Sequence, residues 1–391
     1  MNRISLFLAA SLACFGVGSA AIEPKAESAE GSGNLDGWED APIALLVDAG
    51  SGQILFEKEA DRRFVPASIT KVMSAFVAFE LIEQGELDPG QSFTMSEALA
   101  EDWYRTGSTM FLEPGELVTV DQLLRGITSV SANDASAVLA VGAAGSIDGW
   151  TAMMNTAARK LGMHDSHFAT PNGWPDEGKT FTTAYDLAIL ARILIARHPE
   201  KYARYFGKDG LRHNGFAQAN HDPISRVVDG ADGLKTGFTN QAGHGFLGSA
   251  ERDGTRLLMV VAAIDYQQDR TRISRELIRW GFDAFDRTKI YSKGDDVAEA
   301  RVQNGTQNSV ALRVSNDIRM AIPKSAPVKP RFAVTYQGPL RAPIMAGEQV
   351  ARLEMTLNGQ KTASTPLIAA RDVPKAGFFQ RITNAFEAWA R

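Results

Sequence analysis

The sequence predicts an α+β fold in two units, and three observations carry that prediction. Apolar strand-like runs stand near residue 41 and again near residue 250, with a long helical region between them, so one sheet must be assembled from distant segments. After Ser292-Lys293-Gly294 the texture turns to short alternating segments separated by Gly, Pro and Asn, the pattern of a small all-β domain. A chain of 391 residues with 44% hydrophobic content can bury two cores of ordinary size.

The elements follow in order. Residues 1–20 carry Arg3, an apolar run from Ile4 to Val17 and the small residues Gly18, Ser19 and Ala20, a secretory leader pattern with cleavage expected near Ala20 or Ala21. A permanent anchor is the alternative, but the run is shorter than the ~20 residues of a membrane span. Residues 21–40 are rich in Glu, Ser and Gly and read as a flexible spacer. Two apolar runs, Ala41 to Val47 and Gln53 to Lys58, flank Asp48-Ala49-Gly50-Ser51-Gly52 as a hairpin. Pro66-Ala67-Ser68 opens a helix through Glu83 that is apolar around much of its circumference and therefore expected to be central. A mostly helical stretch from Val120 to His198 is broken by the loop from Thr170 to Pro175. The runs His244 to Glu251 and Thr255 to Asp265 form a second hairpin around Arg252-Asp253-Gly254. A helix from about Asp269 to Phe285 closes a first domain of residues 41–290, and a β-rich domain covers 296–370. In the final stretch, 373–391, Phe378, Ile382, Phe386 and Trp389 share one helical face, which suits a membrane-associating amphipathic helix or docking on the protein itself.

Charge and cysteine content exclude several functions. The 41 basic and 46 acidic residues leave a net −5, which offers no support for nucleic-acid binding. The single cysteine, Cys14, lies in the leader, so the mature chain has no intrachain disulfide and no thiol for catalysis or zinc. His164 and His167 stand without other obvious ligands and read as polar loop residues; no metal and no cofactor are expected.

Three short motifs carry chemistry. Ser68-Ile69-Thr70-Lys71 places a hydroxyl and an amine on one helix face, where a lysine held neutral could activate the serine. The helix start adds the positive end of the backbone dipole. By chance a chain of this length holds about one S-x-x-K, but a buried helix would carry this pair at a cost unless it faced a cleft. Ser131-Ala132-Asn133 supplies a second hydroxyl and a carboxamide; the tripeptide is common, and Ser32-Gly33-Asn34 is another copy. Lys235-Thr236-Gly237 is rarer and precedes a β-rich run, so its lysine and hydroxyl could hold a carboxylate while Gly237 lets a peptide approach the backbone. The three occur in this order within the folded region.

On these motifs, and on Leu161-Gly162-Met163 and Asp232-Gly233-Leu234 beside them, the chain resembles the D-alanyl-D-alanine carboxypeptidase family, the low-molecular-mass penicillin-binding proteins, from about Ala41 to Ala370 and beyond. The resemblance implies a serine β-lactamase/DD-peptidase-like domain followed by the β domain and a tail that tethers the enzyme to the outer face of the inner membrane, in the periplasm. It further implies that Ser68 attacks the carbonyl between two D-alanines of a peptidoglycan stem peptide, with Lys71 as general base and Ser131 passing a proton to the departing residue. Asn133 would bond the substrate amide, Lys235 and Thr236 the terminal carboxylate, and the backbone N–H groups of Ser68 and Phe238 would form the oxyanion hole. β-Lactams would act as inhibitors through a slow-clearing acyl-enzyme. Many relatives have His where this chain has Phe238, which bears on rate, pH dependence and peptide preference.

Rival readings are a class A β-lactamase, a DD-endopeptidase and a non-catalytic wall-binding module. The lactamase glutamate string E-x-x-L-N occurs as Glu354 to Asn358, but after Lys235 rather than before it. An endopeptidase would use the same atoms. A serine hydrolase of the Ser-His-Asp type lacks its G-x-S-x-G elbow here.

Overall fold

A computed structural model describes residues 37–325, 330–357 and 360–377. The leader (1–20) lies outside the described residues, as do all of the spacer before Gly37 and the tail beyond Gly377.

The first unit is a five-stranded antiparallel sheet with helices on both faces. Strand β1 (Ile43–Asp48) pairs with β2 (Ile54–Lys58). A 3₁₀ turn, Ala67–Thr70, leads into α1 (Lys71–Glu83), and α2 (Val120–Ser129), α3 (Asn133–Ala144), α4 (Ile147–Leu161) and α5 (Ala184–Arg197) follow. The chain then returns as β3 (Ala231–Thr239), β4 (Gly243–Arg252) and β5 (Thr255–Ile264) before α6 (Gln267–Asp283). The strand order is β2-β1-β5-β4-β3, which leaves β3 at an edge.

Alternation along the strands decides which core each side chain enters. Ile43, Leu45 and Val47 of β1, with Leu258, Val260 and Ala262 of β5, join the large core containing α1 to α5. Ala44 and Leu46, with Leu257, Met259 and Val261, face the opposite core with Ile273, Leu277 and Ile278 of α6. A sheet buried on both faces explains why these strands read as continuous apolar runs. The β4–β5 connection is a tight hairpin in which Asp253 and Gly254 take φ of 50° and 72°, the double left-handed step that suits the twist of the strands. Helix α1 is buried nearly all round, as its composition demands.

The second unit contains β6 (Phe285–Tyr291), β7 (Asp296–Gln303), β8 (Ser309–Arg313), β9 (Ile318–Pro323), β10 (Arg331–Thr335), β11 (Leu340–Arg341), β12 (Gln349–Leu357) and β13 (Gln360–Ala369). Six of them form a sheet in the order β10-β12-β13-β8-β7-β11, and β6 pairs with β9. Gln53, in the β1–β2 turn, clasps this unit: its Nε2 donates to the Ala321 carbonyl at 2.8 Å and its Oε1 accepts the Ala321 N–H at 2.9 Å.

Three boundaries differ from the sequence reading. Packed structure begins before Ala41: Trp38–Asp40 form a 3₁₀ turn, and Trp38 is buried with its ring centroid 4.4 Å from Phe56 and 5.0 Å from Trp280. A single tryptophan in a polar run has no local period to announce it. Strand β6 starts at Phe285 and pairs with β9, so the β unit takes its first strand from within the range assigned to the first domain. The stretch from Val373 does not start a helix: Val373 bridges Ile344, Lys375 bridges Gly305, and Val373 and Ala376 are buried. Residues 378–391 of the expected amphipathic helix lie outside the described residues.

Replacing Trp38 by Ala is expected to destabilise the first unit by about 3 kcal/mol, the scale of emptying a buried aromatic site; chemical denaturation of the two proteins measures it.

Candidate active site

The site is built where the 3₁₀ turn meets α1. Pro66 fixes the entry and Ala67 takes φ of 48°, a left-handed step that costs an L residue on the order of 1 kcal/mol. Two glycines hold this turn. A Cβ on Gly173, itself at φ 74°, would stand 1.8 Å from the Ala67 carbonyl oxygen, and one on Gly237 would stand 2.4 Å from the Pro66 carbonyl oxygen. The turn is therefore gripped between the 170–175 loop and edge strand β3. Gly237 was expected to admit a peptide; its immediate role is this close packing against the turn that carries Ser68.

Lys71, one helical turn on, is 1% exposed. Its Nζ lies 2.9 Å from Ser68 Oγ, 2.8 Å from Asn133 Oδ1 and 2.8 Å from the Asn172 carbonyl oxygen. Two of these partners can only accept a hydrogen bond, whereas the serine hydroxyl can also donate. A neutral amine that gives its two protons to Asn133 and Asn172 thus points its lone pair at the Ser68 hydroxyl. Burial, and after it the charge of Lys235, holds the Lys71 pKa well below the ordinary lysine value, against the opposing pull of Asp134. The fold favours the base form.

Asn133 opens α3 and reaches Lys71 because its own N–H donates to the Ser108 carbonyl at 2.7 Å and its Nδ2 to the Thr106 carbonyl at 3.2 Å. Its carboxamide was expected to meet a substrate amide; here the oxygen is spent on Lys71, and one Nδ2 hydrogen is left for another acceptor. Asp134, buried in the first turn of α3, accepts N–H groups of Met110, Leu112 and Ala135 and so pins the 105–112 strip across the site. Burial raises the Asp134 pKa while these N–H groups restrain it. Ser131, in the turn between α2 and α3, takes φ of 64° and is 6% exposed, two residues before the asparagine that Lys71 holds.

Along β3, residues 235 and 237 face the nucleophile turn and residues 236 and 238 face α6. Register agrees: Lys235 stands opposite Leu247 of the α1-side core, and Thr236 opposite Phe246 of the α6-side core. Lys235 is buried and its Nζ donates to the Thr236 carbonyl at 3.0 Å. Burial and the neighbouring Arg270 bring its pKa down to about 7. Thr236 is half-buried; Phe238 is exposed, its ring stacked on His244, its partner in register, at 4.1 Å.

Two residues complete the site that the sequence reading left out. Asn172 supplies the third partner of Lys71 from a loop recognised only as a loop. Arg270, on α6, is 4% exposed, and its Nε and Nη1 are buried without a partner among the described residues. Burial brings it down to about 10, against the attraction of Asp222. Arg270 shares the helix face of Ile273, Ser274, Leu277 and Ile278, whereas Arg272, Arg275 and Arg279 lie on the other side; that period marks it as a buried position, and the tertiary structure places it at the site. Glu354, of the lactamase-like string, lies on β12 in the second unit.

Comparison with known proteins identifies the family. A protein-family model described as D-alanyl-D-alanine carboxypeptidase matches residues 36–265, and one described as penicillin-binding protein 5, C-terminal domain, matches residues 285–375. The D-alanyl-D-alanine carboxypeptidase DacD of Salmonella typhimurium is 34% identical over 89% of this chain and 90% of its own length. DacA of Escherichia coli K12 is 31% identical over 88% and 86%. Among solved structures, penicillin binding protein 5 from Haemophilus influenzae superposes with a TM-score of 0.73 at 31% identity, covering 86% of this chain and 98% of that one. Penicillin-binding protein D2 from Listeria monocytogenes, in its cefotaxime-bound form, has a TM-score of 0.57 at 29% identity over 62% of this chain and 97% of its own.

Because the Lys235 charge contributes to the depression of Lys71, Lys235→Gln is expected to move the Lys71 titration to higher pH. An NMR titration of the lysine side chains, with Lys71 assigned through Lys71→Arg, reads the shift; an unmoved Lys71 would leave burial as the whole cause.

Proposed function

This chain belongs to the D-alanyl-D-alanine carboxypeptidase family, and we propose that it removes the terminal D-alanine from peptidoglycan stem pentapeptides through a Ser68 acyl-enzyme. The observation that carries the mechanism is the set of three partners around Lys71 Nζ, which leaves a lone pair for the Ser68 hydroxyl.

Each step then has an owner. Lys71 takes the hydroxyl proton as Ser68 Oγ bonds to the carbonyl carbon between the two D-alanines. The N–H groups of Ser68 and Phe238 receive the oxyanion, helped by the positive end of the helix behind Ser68. The C–N bond breaks as the proton travels from Lys71 through Ser131 to the departing nitrogen. Water attacks the ester with Lys71 again as base, and Ser68 regains its proton. The substrate lies along edge strand β3, which has a strand neighbour, β4, on one side only. Its terminal carboxylate is held by Lys235, Thr236 and Arg270, so the unpartnered guanidinium nitrogens find their acceptor in the substrate. A β-lactam acylates Ser68 by the same attack; its leaving nitrogen stays tethered and hinders the water.

Export to the periplasm is supported by the leader pattern in residues 1–20, and peripheral attachment to the inner membrane by the apolar face of Phe378, Ile382, Phe386 and Trp389. Fractionation of cells expressing the chain with and without residues 378–391 tests both: attachment through the tail predicts that the shortened chain moves from the membrane to the soluble periplasm.

Ser68→Ala is expected to abolish both covalent labelling by fluorescent penicillin and D-alanine release from a pentapeptide; label retained by that variant would move the nucleophile elsewhere. Acylation should rise with pH as Lys71 loses its proton and fall above about 7 as Lys235 loses the charge that holds the carboxylate. Arg270→Gln should lower kcat/KM for peptide about 10–100-fold, the scale of one charge-assisted hydrogen bond. Removing its charge also raises the Lys235 pKa, so the alkaline limb should move to higher pH, a shift that a purely structural arginine would not produce.

A further inference from the structure

We propose that the stacked rings of Phe238 and His244 form the wall of the pocket for the departing residue, and that they restrict release to terminal D-residues with a small apolar side chain. The inference rests on the proposed function and adds the selector of its leaving group.

With the carboxylate at Thr236 and the scissile carbonyl at the Phe238 N–H, the departing residue lies along β3 between positions 236 and 238. Side chains at both positions face α6, so the Phe238 ring overhangs that stretch from one side. The ring is 52% exposed, although a phenylalanine loses free energy in water. An apolar face left open beside anchors for a carboxylate is complementary to a hydrocarbon group attached next to that carboxylate.

His244 determines where the wall stands. It is the register partner of Phe238 on β4, and the two rings lie 4.1 Å apart at 20°. One face of Phe238 is thereby occupied and its rotamer held, leaving the other face for ligand. His244 acts through Phe238 and is a positioning residue. A methyl group fits against such a fixed wall; a longer side chain must displace it, and a hydroxyl would lose water without gaining a partner.

The test compares N-acylated peptides ending in D-Ala-D-Ala and in D-Ala-D-Leu, with release of the terminal residue measured for the full chain and variants. Phe238→Ala is expected to shift the kcat/KM ratio of the two by about tenfold toward D-Leu. His244→Ala should shift it in the same direction, and His244→Phe, which restores a stacking ring, should return it toward the original value. Fluorescent penicillin labelling reports whether the Ser68 turn is intact in each variant; should Phe238→Ala fail to label, Phe238→Leu takes its place, with a smaller shift in the same sense. An unchanged ratio in a labelled Phe238 variant overturns the pocket assignment. A wild-type chain that neither takes penicillin nor releases D-alanine would instead overturn the function on which it rests.

Discussion

The site depends on one constraint: an amine removed from water and given two partners that can only accept. Asn133 Oδ1 and the Asn172 carbonyl take the two hydrogens of a neutral Lys71, and the remaining position falls on Ser68. Were either carbonyl moved, the lone pair would have no fixed direction. Much of the surrounding architecture keeps those two groups in place. Asp134 ties the start of α3 to the 105–112 strip, and Gly173 seats the 170–175 loop directly on Ala67.

The electrostatics have the same logic on a larger scale. Lys71, Lys235 and Arg270 are buried together, and Asp134 and Asp222 only partly offset them. Collecting like charges away from water is unfavourable by itself. It becomes useful when a carboxylate enters, because the donors are already desolvated and aimed, and no reorganisation is needed at the moment of binding. The same repulsion lowers the Lys71 pKa, so binding and activation share one set of charges. Stability sacrificed at the site is supplied by the two cores on either side of the sheet.

One of the links between the second unit and the first is the Gln53 amide, which exchanges both of its hydrogen bonds with the Ala321 backbone. Gln53 sits in the β1–β2 turn, at the end of the sheet opposite edge strand β3. The β unit thus leaves open the edge along which the substrate is proposed to lie.

The sequence by itself determined the elements whose signal is local. The i, i+3 spacing of Ser68 and Lys71, the all-round apolar helix behind them, the hairpins at Gly52 and Gly254 and the Lys-Thr-Gly strand all follow from residue type and short-range period. Only the tertiary structure decided that Asn133 serves Lys71 first, that Gly237 is required by the Pro66 carbonyl, that the buried Arg270 of α6 comes to lie at the site, and that Trp38 belongs to the fold. The physical reason is common to all four. Desolvation, a shared hydrogen bond and a steric approach are properties of groups brought together from positions far apart in the chain, and no window of neighbouring residues contains them.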